Sequence, residues 1–110
     1  MYIENWAELA REANWSVAML AKQCGVSVRT LERYVLEKEG RQPKAWLNAK
    51  RHQLAMELLR SGYSVKETAD FVKYTQASSF SREFTKFWGF SPTNAHKMKA
   101  GPNQADAAVA

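Results

Sequence analysis

Residues 16–35 are SVAMLAKQCGVSVRTLERYV, and the spacing of their apolar side chains sets the architecture. Val17, Leu20, Ala21 and Cys24 recur at the i, i+3, i+4, i+7 spacing of one buried helix stripe, with Ser16 placed as the N-cap. Gly25 supplies the left-handed backbone of a sharp exit, and Val26 plugs the turn from its apolar side. Ser27 then caps a further helix that carries Leu31, Tyr34 and Val35 inward. The stretch is a helix, a tight turn and a second helix.

Upstream, Trp6, Leu9, Ala10 and Ala13 predict an amphipathic helix over residues 2–13, which Asn14 can end. Downstream, Gly40 stops the helix begun at Ser27, and Pro43 suits the first turn of a helix running to Arg60 before Gly62. On that long helix Trp46, Leu47, Leu54, Ala55, Met56, Leu58 and Leu59 cover more than one face, the pattern of a connector packed between two bodies. Ser64 with Glu67 forms a capping box before Val65, Thr68, Ala69 and Val72. A sixth helix from Thr75 or Gln76 buries Phe80, Phe84, Phe87 and Trp88 and closes at Gly89. Ser91 and Pro92 open a seventh, to about Lys99. The small residues of the tail, 101–110, are expected to be disordered. The expected fold is all-α: two helix-turn-helix units, about 17–38 and 65–87, joined by a connector over 43–60 within one domain spanning 2–100.

The chain says nearly the same thing twice. Val17 and Ala21 match Val65 and Ala69 at an offset of 48, while Arg33, Val35, Gly40 and Pro43 match Arg82, Phe84, Gly89 and Pro92 at an offset of 49. One residue is inserted between the two sets. The repeated object is the whole helix-turn-helix with its exit turn. A purely structural helical repeat has the same period.

The second helix of each pair turns a polar arc to solvent. On the first it holds Arg29, Thr30, Glu32 and Arg33; on the second, Gln76, Ala77, Ser78, Ser81 and Arg82. Arginine can grip guanine with two bonds and glutamate can accept from cytosine, both in the major groove. Short and amide side chains allow close approach to base edges. Exposed polar helix faces are ordinary, but two at matching places in a repeat are much less so.

Charge fits an anionic partner. The net charge is +5, and residues 15–99 hold 15 of the 16 basic side chains and 7 of the 11 acidic ones. Lys22, Lys38, Lys44, Lys73 and Lys86 are the expected phosphate contacts. The single cysteine, Cys24, excludes an intrachain disulfide and reads as a small core residue. With no signal peptide and no long apolar run, a cytoplasmic location is expected. His52 and His96 are far apart, and nothing has metal-ligand or catalytic spacing, so neither an enzyme nor a cofactor or metal site is expected.

These residues resemble the AraC/XylS-type transcriptional regulators from about Trp15 to Lys99. The most specific part is Ser78-Ser79-Phe80-Ser81-Arg82-Glu83-Phe84 followed by Trp88-Gly89-Phe90-Ser91-Pro92. The first unit agrees through Leu20-Ala21, Gly25-Val26-Ser27, Arg29, Leu31, Arg33 and Gly40, and the connector through Arg51, Ala55, Leu58 and Leu59. The resemblance implies two helix-turn-helix units on a long helix and sequence-specific promoter binding, usually for activation. The implied partners are double-stranded DNA and RNA polymerase, with no membrane and no small-molecule ligand within this chain. Four positions depart from the family. Lys73-Tyr74 stands for the usual Gly-Phe, so the turn takes a left-handed non-glycine residue or a different shape. His52 replaces a leucine, as a partly buried structural residue, and Thr68 an isoleucine, giving a slightly more polar core.

The alternative is a helical module that binds another protein, but its outward faces should then carry apolar or aromatic anchors. A connector of 18 residues is about 27 Å long, against about 34 Å between successive groove segments on one face of B-DNA. One monomer is therefore expected on an asymmetric site, with modest bending or partial insertion of the second unit. The chain is either a stand-alone regulator or the DNA-binding part of a longer protein.

Overall fold

The computed structural model describes residues 5–98, which form seven helices and, among the described residues, no strand. They are α1 (Trp6–Glu12), α2 (Val17–Gln23), α3 (Val28–Glu39), α4 (Pro43–Arg60), α5 (Val65–Phe71), α6 (Ala77–Trp88) and α7 (Pro92–Lys97). The chain divides into two compact units, one ending at Arg51 and the other beginning at His52, so α4 contributes one half to each.

Helix ends follow the local chemistry. Ser16, Ser27, Ser64 and Ser91 each accept a main-chain N–H of the first turn with Oγ, at 3.0–3.3 Å. Ser64 and Glu67 complete a reciprocal box, since the Ser64 amide donates to Glu67 Oε1 at 2.9 Å. Gly40 and Gly89 end α3 and α6 in the left-handed region. The first helix is shorter than its periodicity suggests. Asn5 is already outside helical geometry and α1 starts at Trp6, while residues 2–4 and the tail 101–110 lie outside the described residues. Similarly α7 stops at Lys97 with Met98 as its C-cap.

In the first unit α2 packs on both α1 and α3. Ala10, Ala13, Leu20, Ala21, Leu31, Val35, Trp46 and Leu47 are buried there. Trp6 meets Trp46 edge to face at 4.7 Å, and the Arg51 guanidinium lies 6.0 Å over the Trp15 ring. Cys24 is only half-buried, less enclosed than a core position; its partial burial pushes the thiol up, away from the reactive thiolate.

In the second unit α5 packs on α6, and α7 on both. Phe80 and Phe84 are fully buried, worth about 1.5–3 kcal/mol each. The expected stripe is narrower than four aromatics: Phe87 is 37% exposed and Trp88 half-buried. His52 is not partly but wholly buried, at 0% exposure, inside a ring of aromatics. It stacks with Phe87 at 5.4 Å and Phe80 at 6.4 Å, and Phe84 meets it edge-on at 6.1 Å. Thr68 is equally buried, and its Oγ1 has no hydrogen-bond partner among the described residues. The polar substitutions do sit in the core.

Candidate nucleic-acid interface

The two turns that precede α3 and α6 are built by the same main-chain bonds. After α2, the Gly25 amide donates to the Lys22 carbonyl at 3.1 Å and the Val26 amide to the Ala21 carbonyl at 3.0 Å. After α5, the Lys73 amide donates to Asp70 at 3.1 Å and the Tyr74 amide to Ala69 at 2.9 Å. Both are Schellman exits, which need one left-handed residue. Gly25 has φ 70° and Lys73 has φ 68°, so the turn without glycine keeps the shape of the turn with it. Of the two possibilities open in the sequence, a strained non-glycine residue is the one adopted.

The inserted residue is Thr75. Helices α2 and α5 are both 7 residues at the offset of 48, and α3 and α6 both 12 residues at the offset of 49. Val26 is followed directly by the N-cap Ser27, whereas Thr75 stands between Tyr74 and the N-cap Gln76. Unlike Ser27, Gln76 makes no side-chain capping bond.

With Leu31 and Val35 buried, α3 leaves Arg29, Thr30, Glu32 and Arg33 all exposed. The arc is therefore on the surface as a unit. Arg29 and Arg33 are one turn apart on the same face. Thr30 differs from its neighbours because its Oγ1 accepts a bond from Ser27 Oγ at 3.0 Å. That hydroxyl belongs partly to the cap, leaving its proton and methyl group for an outside contact.

On α6, Gln76, Ala77, Ser78 and Arg82 are exposed, but Ser81 is half-buried. The Ser81 carbonyl also accepts from Thr85 Oγ1 at 2.7 Å. Arg33 and Arg82 hold the same place in helices of the same length, so the repeat extends to an exposed arginine as well as to the packing.

Lys22, Lys38, Lys44, Lys73 and Lys86 are all exposed. Lys22, Lys38 and Lys86 lie in the last turns of α2, α3 and α6, where they also complement the negative end of the helix dipole. Lys44 is in the first turn of α4, and Lys73 is the left-handed residue itself.

Sequence reading overlooked Val28. It is the first residue of α3 and 40% exposed, an apolar branched side chain at the N-terminal end of the exposed arc. The offset of 49 pairs it with Ala77, which was singled out, and the repeat could have found it.

Among the described residues no helix is long and apolar enough to cross a membrane. A family model described as a helix-turn-helix domain matches residues 20–98. The activator RhaS of Escherichia coli O1:K1 / APEC is 33% identical over 99 residues, covering 87% of this chain and 35% of that protein. The uncharacterised HTH-type transcriptional regulator YidL of Escherichia coli K12 is 32% identical over 99 residues, covering 84% of this chain and 33% of its own length. The chain thus spans about a third of the length of these curated relatives. A crystal structure of an AraC-type DNA-binding-domain transcriptional regulator from Chromobacterium violaceum superposes with a TM-score of 0.69 at 25% identity, covering 87% of this chain and 90% of the other.

Proposed function

Because the chain belongs to the AraC-type family of helix-turn-helix domains, we propose that it regulates transcription by binding double-stranded DNA sequence-specifically, with α3 and α6 as recognition helices. Residues 2–100 are its DNA-binding module. The observation that carries this reading is the pair of exposed arcs at one offset, ending in Arg33 and Arg82 at equivalent places on helices of equal length.

Arg29, Arg33 and Arg82 carry guanine-reading chemistry, Glu32 can accept from cytosine, and Gln76 suits adenine. Ala77, Ser78 and Thr30 allow close approach, and Val28 offers its methyl groups to a thymine methyl. Ser81, half-buried, is the weakest reader of the set. The exposed lysines 22, 38, 44, 73 and 86 hold phosphates and set the register without reading sequence. Each unit presents its own recognition helix, so one chain as a monomer addresses an asymmetric site. RhaS is named an activator, and we carry that sense of regulation to this chain, with RNA polymerase as the partner it engages.

The test is an electrophoretic shift on duplex and single-stranded DNA of one sequence across a salt series. Preferential duplex binding is expected, with affinity falling steeply as salt rises, in keeping with about 6 to 10 phosphate contacts. A slope near zero, or equal binding to single strands, would sink the reading.

A further inference from the structure

We propose that Tyr74, through its hydrogen bond to His52, is a positioning residue that sets where α6 begins and thereby the base preference of the second unit. This rests on the DNA reading above. The start of α6 differs from the start of α3 in the same chain. The turn before α3 has a glycine at its left-handed position, no inserted residue, and a serine cap whose Oγ holds the Thr30 amide at 3.1 Å. The turn before α6 has Lys73 at φ 68°, the extra residue Thr75, and a Gln76 that makes no side-chain capping bond. The main-chain bonds of the two turns are alike, but the glycine, the direct junction and the side-chain cap that fix the start of α3 are all missing at the start of α6.

A longer-range device stands in its place. The Tyr74 hydroxyl and His52 Nε2 share a hydrogen bond of 3.2 Å across 22 residues of sequence. Where the first unit has Val26, which has no polar end, the second has a tyrosine that reaches the fully buried imidazole on α4. The Tyr74 ring also packs on α6 itself, 5.4 Å from Phe80. Phe80 in turn stacks over His52 at an interplanar angle of 15°. The residue that ends the turn is thus referenced both to α4 and to the first buried aromatic of α6. Gln76 and Ala77 follow Tyr74 by two and three positions, so a shift at Tyr74 is carried directly to the side chains offered to base edges.

The experiment measures base preference of the full 110-residue chain on a randomised duplex pool, together with affinity for the preferred duplex and thermal melting. Tyr74→Phe is expected to flatten preference at the base pairs that Arg82→Ala also affects, to weaken the preferred duplex about 5- to 10-fold, and to leave the preference that depends on Arg29 and Arg33 intact. His52→Leu should do the same and His52→Gln, which keeps a hydrogen-bonding group, should not. The double variant Tyr74→Phe/His52→Leu should be no worse than either single change. Uniform loss on every duplex in step with lower melting would overturn the proposal by making Tyr74 merely structural, as would an unchanged preference. Should Tyr74→Phe fail to fold, the His52→Leu and His52→Gln pair carries the same comparison. A wild-type chain that shows no duplex preference overturns the DNA reading and this proposal together, whereas a sharp wild-type preference that both Tyr74→Phe and His52→Leu retain overturns this proposal alone.

Discussion

The indole of Trp88 donates its Nε1 proton to the main-chain carbonyl of His52 at 3.1 Å, joining the last turn of α6 to α4. The bond is part-buried, and a typical one contributes about 1 kcal/mol net. Trp88→Phe should therefore lower stability by about 1–2 kcal/mol, some of it from lost ring area. Phe84→Ala should cost about 3–5 kcal/mol, because it removes a fully buried aromatic from a unit with little reserve. Denaturant melts of the two variants should differ in that order, and equal losses would refute the ranking.

Gly25 adopts φ 70° and a Cβ added there would meet nothing within 4 Å. Any cost of Gly25→Ala is then conformational and not steric, and should be about 1 kcal/mol. Lys73 already bears the same backbone strain, so Lys73→Ala should change stability by much less. A melting series on both variants checks the contrast.

Arg29→Ala and Arg33→Ala should each weaken the preferred duplex by about 1–3 kcal/mol and relax base choice at their own positions. Arg82→Ala should do likewise within the second unit's segment. Competition binding against point-substituted duplexes reads both quantities. Loss that is equal on all sequences would assign these arginines to phosphate.

Glu67 is held below the usual carboxylate range, first by the hydrogen bond from the Ser64 amide and then by the one with the Ser64 side chain. A carboxyl with a depressed folded-state value stabilises the fold above its unfolded value, and that contribution is lost as pH falls through the folded one. The first turn of α5 should fray on acidification while neutral and alkaline conditions leave it unchanged. An NMR titration of the Ser64 amide should show this transition, and Glu67→Gln should abolish it.

Much of this was legible in the chain because the signals are local. The serine caps, the Ser64–Glu67 box, Pro43, Gly40 and Gly89 each act within one helix turn, and each helix they bound ends within a few residues of its expected place. Spacing alone could not separate Phe87 from Phe84, since both border the apolar stripe of α6 and only packing leaves one of them exposed. The Tyr74–His52 bond was beyond reach for a different reason. It joins residues 22 apart, and taken separately the histidine read only as part of a more polar core and the tyrosine only as a change in the turn. The place of the inserted residue likewise needed helix ends, because periodicity tolerates a slip of one between two stripes.

The turn bonds of both units run from main chain to main chain, and no side chain of either outward arc takes part in them. Exchanges at Arg29, Glu32, Arg33, Ser78 or Arg82 therefore leave the scaffold's own bonding untouched. Under the proposed function, such a chain can be handed new promoters by inheritance, one solvent-facing codon at a time, with its folding passed down unchanged. Exchanges at Leu31, Val35, Phe80 or Phe84 have no comparable freedom, so the two sets of positions should diverge at different speeds among its descendants.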